Sequence, residues 1–158
     1  RGEVLVRGYS LFEGYYRDPV KSAEALDKDG WFHTGDIGSV DAQGTIMFHG
    51  RFKDMLKVGG ENVAAAEIEA QLQKHKAVKL AQVVGIPDAK YAEVPAAFVE
   101  LQPGATASEA ELIEFCKKDV AGFKVPRHIR FVTEWPMSSS KIQKFKLRTA
   151  LVDELKLG

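Results

Sequence analysis

The sequence predicts an α+β fold in two parts: a β-rich stretch over residues 1–50, and a small domain of alternating helices and strands, with a short antiparallel sheet, over residues 51–158. Three observations carry this. Short apolar alternations punctuated by turn residues fill the first part. The character changes at Gly50-Arg51. Beyond it, stretches with helical spacing interleave with runs rich in β-branched residues. In chain order, residues 3–7 (Glu-Val-Leu-Val-Arg) alternate and read as a strand ended by Gly8, and an aromatic-rich loop follows to Tyr16. Asp18-Pro19 is a helix start, with Asp as N-cap and Pro at the first helical position, so a short helix is expected over 19–26. Residues 31–33 and 37–40 read as short strands, Asp41 to Gly44 as a hairpin turn, and 45–49 as the returning strand.

In the second part, 54–58 is a short apolar strand that Gly59-Gly60 interrupts. Residues 64–75 have helical spacing, with Ile68 and Leu72 on one face. Residues 78–86 and 94–101 are β-rich. Ser108 followed by Glu111 has capping-box spacing and opens a helix expected to run to about Val120. A strand over 129–132 and a terminal helix over 143–155 complete the chain.

Bulk composition narrows the function. Lys+Arg and Asp+Glu are 22 each, so the net charge is zero, and a general nucleic-acid or acidic-membrane surface has no support. No apolar run reaches the roughly 20 residues that a membrane-crossing helix needs. The single cysteine, Cys116, sits in an apolar-periodic stretch and reads as a buried, inert thiol. His33, His49, His75 and His128 are dispersed without metal-ligand spacing, and no metal site is expected. The chain opens on Arg1-Gly2-Glu3 without a methionine or a signal-peptide pattern, which reads as the middle of a longer protein.

Several segments have chemistry available to them, each with a plainer reading. Lys141 ends a polar run, Ser138-Ser139-Ser140, before the terminal helix. Its ammonium is a compact charge with rotatable donors, suited to phosphoryl or carboxylate oxygens; it also reads as a solvated surface lysine. Lys144, Lys146 and Arg148 read equally as a solvated helix face. In Thr34-Gly35-Asp36 the aspartate can accept two hydrogen bonds from vicinal hydroxyls, as in ribose recognition, or the three residues form a turn. Arg51 can hold a phosphate or ribose oxygen, or pair with a carboxylate. Gly59-Gly60 presents bare backbone along which a narrow ligand could lie, or it simply ends a strand. It does not continue into a dinucleotide or Walker-type loop, and no nucleophile-elbow motif is present.

Taken in order, four segments resemble the AMP-forming acyl-CoA synthetases, within the superfamily that also holds luciferases and the adenylation domains of peptide synthetases. They are Gly2-Glu3-Val4-Leu5 with Gly14-Tyr15-Tyr16; Trp31-Phe32-His33-Thr34-Gly35-Asp36; Gly50-Arg51-Phe52-Lys53-Asp54 through Gly59-Gly60-Glu61-Asn62 to Glu67-Ile68-Glu69; and Pro136 to Lys144. Lys53-Asp54 with Gly59-Gly60-Glu61-Asn62 is closer to medium-chain fatty acyl and aryl CoA ligases than to peptide-synthetase domains, and the run from Ile142 to Arg148 leans toward medium-chain acyl-CoA ligases. The resemblance implies that residues 1–50 are the β-rich tail of a larger N-terminal domain and 51–158 a mobile C-terminal domain. It implies an enzyme that joins a carboxylic acid to CoA using ATP, with Mg²⁺, expected in the cytoplasm. Asp36 would bind the ribose hydroxyls and Arg51 the nucleotide ribose or phosphate. Lys53 would be the hinge, and Lys141 the catalytic residue bridging the substrate carboxylate and the α-phosphate. Gly59 and Gly60 would line the pantetheine tunnel, with Phe123 and Arg127 at the CoA nucleotide. Lys57 stands where luciferases use a second lysine, and no role is assigned to it. Three positions depart from the family pattern: Ser140 and Ala92 where Gly is usual, and Ala65 where Pro is usual. The phosphate-binding loop and acyl pocket belong to the family's N-terminal domain, which would be this domain's partner, so these residues alone are expected to be inactive. Aryl acid–CoA ligation, acyl–carrier-protein ligation and a non-enzymatic α+β binding module are the alternatives.

Overall fold

A computed structural model describes residues 1–157. The chain divides into two compact units, Arg1–Lys53 and the residues from Asp54 onward.

The first unit is a three-stranded antiparallel sheet, ordered β1 (Gly2–Val6), β2 (Phe32–Val40), β3 (Ile46–Arg51). Helix α1 (Pro19–Ala25) precedes β2; the Asp18 side chain caps it by accepting from the Lys21 amide at 3.0 Å, with Pro19 at its start as expected. The β2–β3 hairpin turns at Asp41–Gly44, where Asp41 Oδ1 accepts from the amides of Gln43 and Thr45. One expectation changes here. The sequence suggests two short strands flanking Thr34-Gly35-Asp36, whereas β2 runs through all nine residues. Leu5 pairs with His33 and Glu3 with Ile37, so β2 spends four steps where β1 spends two. The surplus is a bulge centred on Gly35, whose φ of +70° suits a residue without Cβ.

The second unit is α+β. Its sheet is ordered β5 (Glu61–Ala64), β4 (Met55–Val58), β7 (Ala92–Leu101), β6 (Val78–Asp88), with β8 (His128–Phe131) also pairing with β7. Every pair is antiparallel except β7–β8, which is parallel. Strand β5 is the element missed from sequence. Gly59 and Gly60, with φ of +58° and +91°, make the two-residue turn of a hairpin in which Val58 pairs with Glu61. Glu-Asn-Val-Ala has weak strand propensity, so the turn and the partner strand, not the strand's own composition, decide its state.

Helices α2 (Ala65–Gln73) and α3 (Glu109–Lys117) lie on one sheet face, where Ile68, Leu72, Leu112 and Cys116 pack with Ala81, Val83, Ala97 and Val99. Helix α4 (Lys144–Leu155) covers the other, setting Leu147 and Leu151 against Val84, Ile86, Val94, Ala96 and Phe98. Alternation along β6 and β7 separates the two sets. Each fully buried Leu or Ile stabilises the unit by about 1.5–3 kcal/mol. The capping box at Ser108 and Glu111 forms as predicted, although α3 stops at Lys117. Cys116 is fully buried, and burial pushes its thiol up to about 11, in keeping with an inert core residue. Buried Gln71 is satisfied at both ends, donating to Asp119 and accepting from Lys74.

Candidate functional site

In the first unit, hydrogen bonds hold the bulge of β2. Glu3 Oε1 accepts from the Gly35 amide at 3.0 Å, and Glu3 Oε2 lies 2.9 Å from His33 Nδ1. Thr34 Oγ1 donates to the Val4 carbonyl at 2.7 Å and accepts from the Asp36 amide at 3.0 Å. Each residue of the Thr-Gly-Asp run is therefore fixed from β1 or from within the bulge. Asp36 stands opposite Arg51 in the β2–β3 register, with Nε 2.5 Å from Oδ1 and both side chains part-exposed. This charge-assisted contact fixes the carboxylate while leaving it part-exposed. The two residues predicted to contact a nucleotide are thus neighbours. His33 has its pKa raised, first by the hydrogen bond to Glu3 and further by Asp27.

In the second unit, Lys141 lies on a closed loop. The Ser138 amide donates to the Lys141 carbonyl at 2.8 Å, the Gln143 amide to the Pro136 carbonyl at 2.7 Å, and Met137 bridges Ile142. The backbone is tied down and the side chain points away: Lys141 is exposed, and among the described residues its ammonium has no partner. Ser140 does not strain this loop, since the described non-glycine residues with positive φ are Arg17, Ala92 and Lys156.

Gly59, Phe123 and Arg127 converge on Tyr91, a residue the sequence reading passed over. The Gly59 amide donates to the Tyr91 carbonyl at 2.8 Å, and a Cβ on Gly59 would meet the Tyr91 ring at 3.1 Å. The Arg127 guanidinium lies 5.5 Å from the Tyr91 ring centre, a cation–π contact. A cleft of about 100 Å³ opens between Val58, Tyr91, Val94, Gly122, Phe123 and Arg127. Asp88 holds the turn beneath Tyr91 by accepting from its amide at 2.8 Å, a bond that lowers the Asp88 pKa, with Arg127 adding a smaller charge effect. Gly60 also belongs to the turn and faces open space. The signal for Tyr91 was an aromatic beside an Asp-led turn, which becomes informative once the β4–β5 hairpin is known to reach it.

Lys53 is exposed in a short 3-10 turn, Phe52–Asp54, where the two compact units divide. Lys57 is exposed on β4, and its amide donates to Glu93 at 2.7 Å. Among the described residues, no cluster of His, Cys, Asp or Glu is arranged to hold a metal ion, and no helix is long and apolar enough to cross a membrane.

Residues 67–141 match the family of AMP-binding enzyme C-terminal domains. The medium-chain acyl-CoA ligase ACSF2, mitochondrial, of Rattus norvegicus is 45% identical over 99% of this chain. The alignment covers 26% of that relative, so the chain spans about a quarter of its length. ATP-bound MatB from Rhodopseudomonas palustris superposes with a TM-score of 0.87 at 35% identity, covering 97% of this chain and 31% of that one. Apo MatB, over the same share of both chains, gives 0.70 at 36% identity. The anthranilate CoA ligase AuaEII in complex with anthranoyl-AMP gives 0.81 at 37% identity, covering 95% of this chain and 30% of that one. The chain corresponds to the C-terminal portion of the adenylate-forming ligases of the acyl-CoA synthetase type.

Proposed function

We propose that this chain is the C-terminal part of an ATP-dependent carboxylic acid–CoA ligase, with medium-chain fatty acids as the preferred substrates. The observation that carries this reading is the presentation of Lys141: a loop closed by its own backbone holds out an ammonium that has no partner among the described residues. A surface that leaves such a charge unpaired on an ordered loop is suited to an anion brought to it. In the first half-reaction a carboxylate oxygen attacks the α-phosphorus of ATP, the bond to pyrophosphate breaks, and acyl-AMP forms. Negative charge builds on the phosphoryl oxygens, and Lys141 stabilises it while aligning the carboxylate. Asp36 accepts from the ribose hydroxyls, with Arg51 beside it. In the second half-reaction the thiol of CoA loses its proton and attacks the acyl carbonyl, releasing AMP. The Gly59-Gly60 turn gives the pantetheine chain bare backbone to lie against, and the cleft at Tyr91, Phe123 and Arg127 offers rings and a cation to the CoA nucleotide.

Lys141 and the Gly59-Gly60 turn serve different steps, so the second unit would turn about Lys53 between them. Support comes from the break between compact units at Lys53. Mg²⁺ belongs to the proposal as the counter-ion of the ATP phosphates. The described residues offer it no ligand cluster, and no step is derived through it. A cytoplasmic setting completes the reading. The name of the rat relative makes mitochondria the other outcome of a localisation experiment.

The test uses the longer protein that carries this chain, with octanoate or benzoate, ATP and Mg²⁺, and either free CoA or a carrier protein bearing phosphopantetheine. Pyrophosphate release that depends on octanoate, followed by thioester formation on free CoA, is expected. Thioester on the carrier alone selects the carrier-protein alternative, and benzoate turnover alone selects the aryl one. No pyrophosphate with any carboxylic acid would refute the ligase reading.

A further inference from the structure

Lys144 is the first residue of α4 and lies three positions beyond Lys141. An ammonium at a helix N-terminus faces the positive end of the helix dipole, an unfavourable place for it. The start of α4 also lacks the usual compensations: the side chain of Gln143 makes no cap hydrogen bond, and no acidic residue stands in the first turn. A distant carboxylate supplies what is missing. Lys144 Nζ lies 2.6 Å from Glu69 Oε1 of α2, and 4.0 Å from Asp54 Oδ2. The side chains are 23%, 13% and 30% exposed respectively, so the cluster is shielded compared with an ordinary surface pair. Glu69 is itself anchored, since the same oxygen accepts the Val83 amide of β6 at 2.8 Å.

These contacts bear on the Lys141 loop from a definite side. Trp135 fixes the loop's entry by donating its indole N–H to Glu100 at 2.7 Å. The loop then closes on itself between Pro136 and Gln143, and its exit is the first turn of α4. Lys144 holds that exit to Glu69 and lies near Asp54, the residue directly after Lys53.

We propose that Lys144 is a positioning residue. Held by Glu69 and Asp54, it makes the Lys141 loop and the residue after the joint at Lys53 move as one body, which sets where the Lys141 ammonium arrives when the unit turns. This inference rests on the ligase reading above. Its consequence is selective: losing the tie misplaces Lys141 in the adenylation step and leaves the thioester-forming step, which uses the Gly59-Gly60 turn, as it was.

The experiment measures both half-reactions in the longer protein: pyrophosphate release from acid and ATP, and thioester formation from supplied acyl-adenylate and CoA. Lys144→Met should lower the adenylation kcat by about 10- to 100-fold, the cost of a displacement of about 1 Å at a reacting centre. The KM for ATP and the thioester half-reaction should hold. Lys144→Arg should restore most of the loss. Glu69→Gln, which can still accept the Val83 amide, should reproduce the defect, and the double variant should lose no more than the worse single one. Protease cleavage after Lys141 should be faster in Lys144→Met, a readout independent of turnover. Adenylation unchanged in Lys144→Met, or both half-reactions falling together without rescue by Lys144→Arg, overturns the positioning role. An unsubstituted protein that releases no pyrophosphate overturns the ligase reading instead.

Discussion

Lys141→Ala should separate stability from chemistry. In the structure Lys141 contributes its backbone carbonyl and amide to the loop, both of which alanine keeps, while its side chain is exposed and has no partner among the described residues. The stability change should therefore fall within about ±0.5 kcal/mol, as for an ordinary surface position. For a unit of this size that moves the melting midpoint by at most about 2–4 °C. Removing one charge aimed at a developing oxyanion should instead cost about 10²–10³ in rate, or about 2.7–4 kcal/mol of transition-state stabilisation. The assay pairs thermal unfolding with the two half-reactions, using the longer protein and purified acyl-adenylate for the second. The expected pattern is an unchanged midpoint, adenylation nearly abolished, and thioester formation within about twofold of the unsubstituted rate. Equal loss of both half-reactions would refute the assigned role. So would adenylation that survives within about threefold, because a solvated surface lysine predicts that result.

Three further outcomes follow from the same geometry. Ala92 sits at a φ of +64°, which costs a residue with a Cβ about 1–2 kcal/mol, while glycine adds about 0.4–1 kcal/mol of unfolded-state entropy; Ala92→Gly should therefore raise stability by about 0.5–1 kcal/mol, and a lower melting midpoint would contradict this. His33 has a folded pKa above its ordinary value, so its bond to Glu3 contributes stability that is fully present below about pH 6.5 and is lost as pH rises through the raised folded pKa. An NMR titration should place His33 above that value and Glu3→Gln should bring it down; a His33 that titrates lower in the unsubstituted protein defeats the assignment. Arg127→Ala removes the cation beside the Tyr91 ring and should raise the KM for CoA several-fold with adenylation intact, whereas an unchanged KM would remove the cleft from the CoA path.

What could be read from the sequence, and what could not, follows the range of the interactions. Helices α1 and α3 carry their signals locally, in Asp18-Pro19 and in Ser108 with Glu111, and both form where those residues place them. The bulge at Thr34-Gly35-Asp36 was misread because its cause is remote: Glu3 and Val4 supply the atoms that hold it, some 30 residues away. Tyr91 was missed for the same reason, since its importance depends on the Gly59 turn and on Arg127 arriving beside it. The departures from the family pattern also divide on geometry. Ser140 and Ala92 both replace a usual glycine, yet only Ala92 occupies backbone space where glycine is favoured. A motif match assigns the two equal weight, and the dihedral angles assign a cost to one of them.

Lys141 and Lys144 lie in one short run, and the sequence reads both equally well as solvated surface charge. The fold treats them in opposite ways. Lys144 is drawn against Glu69 over the edge of β6, where that carboxylate already holds a strand amide, so its ammonium has an internal task. Lys141 is left without such a task by a loop that nonetheless orders its backbone. Ordering an exposed loop has an entropic cost, and a tie at each end, Trp135 to Glu100 and Lys144 to Glu69, is more than a merely solvated lysine requires. The arrangement has the form expected of a charge that must arrive at a set place and meet its partner there. The paired lysine fixes the position from which the unpaired one acts, so losing either charge should slow adenylation, at Lys141 by removing the stabilising ammonium and at Lys144 by misplacing it.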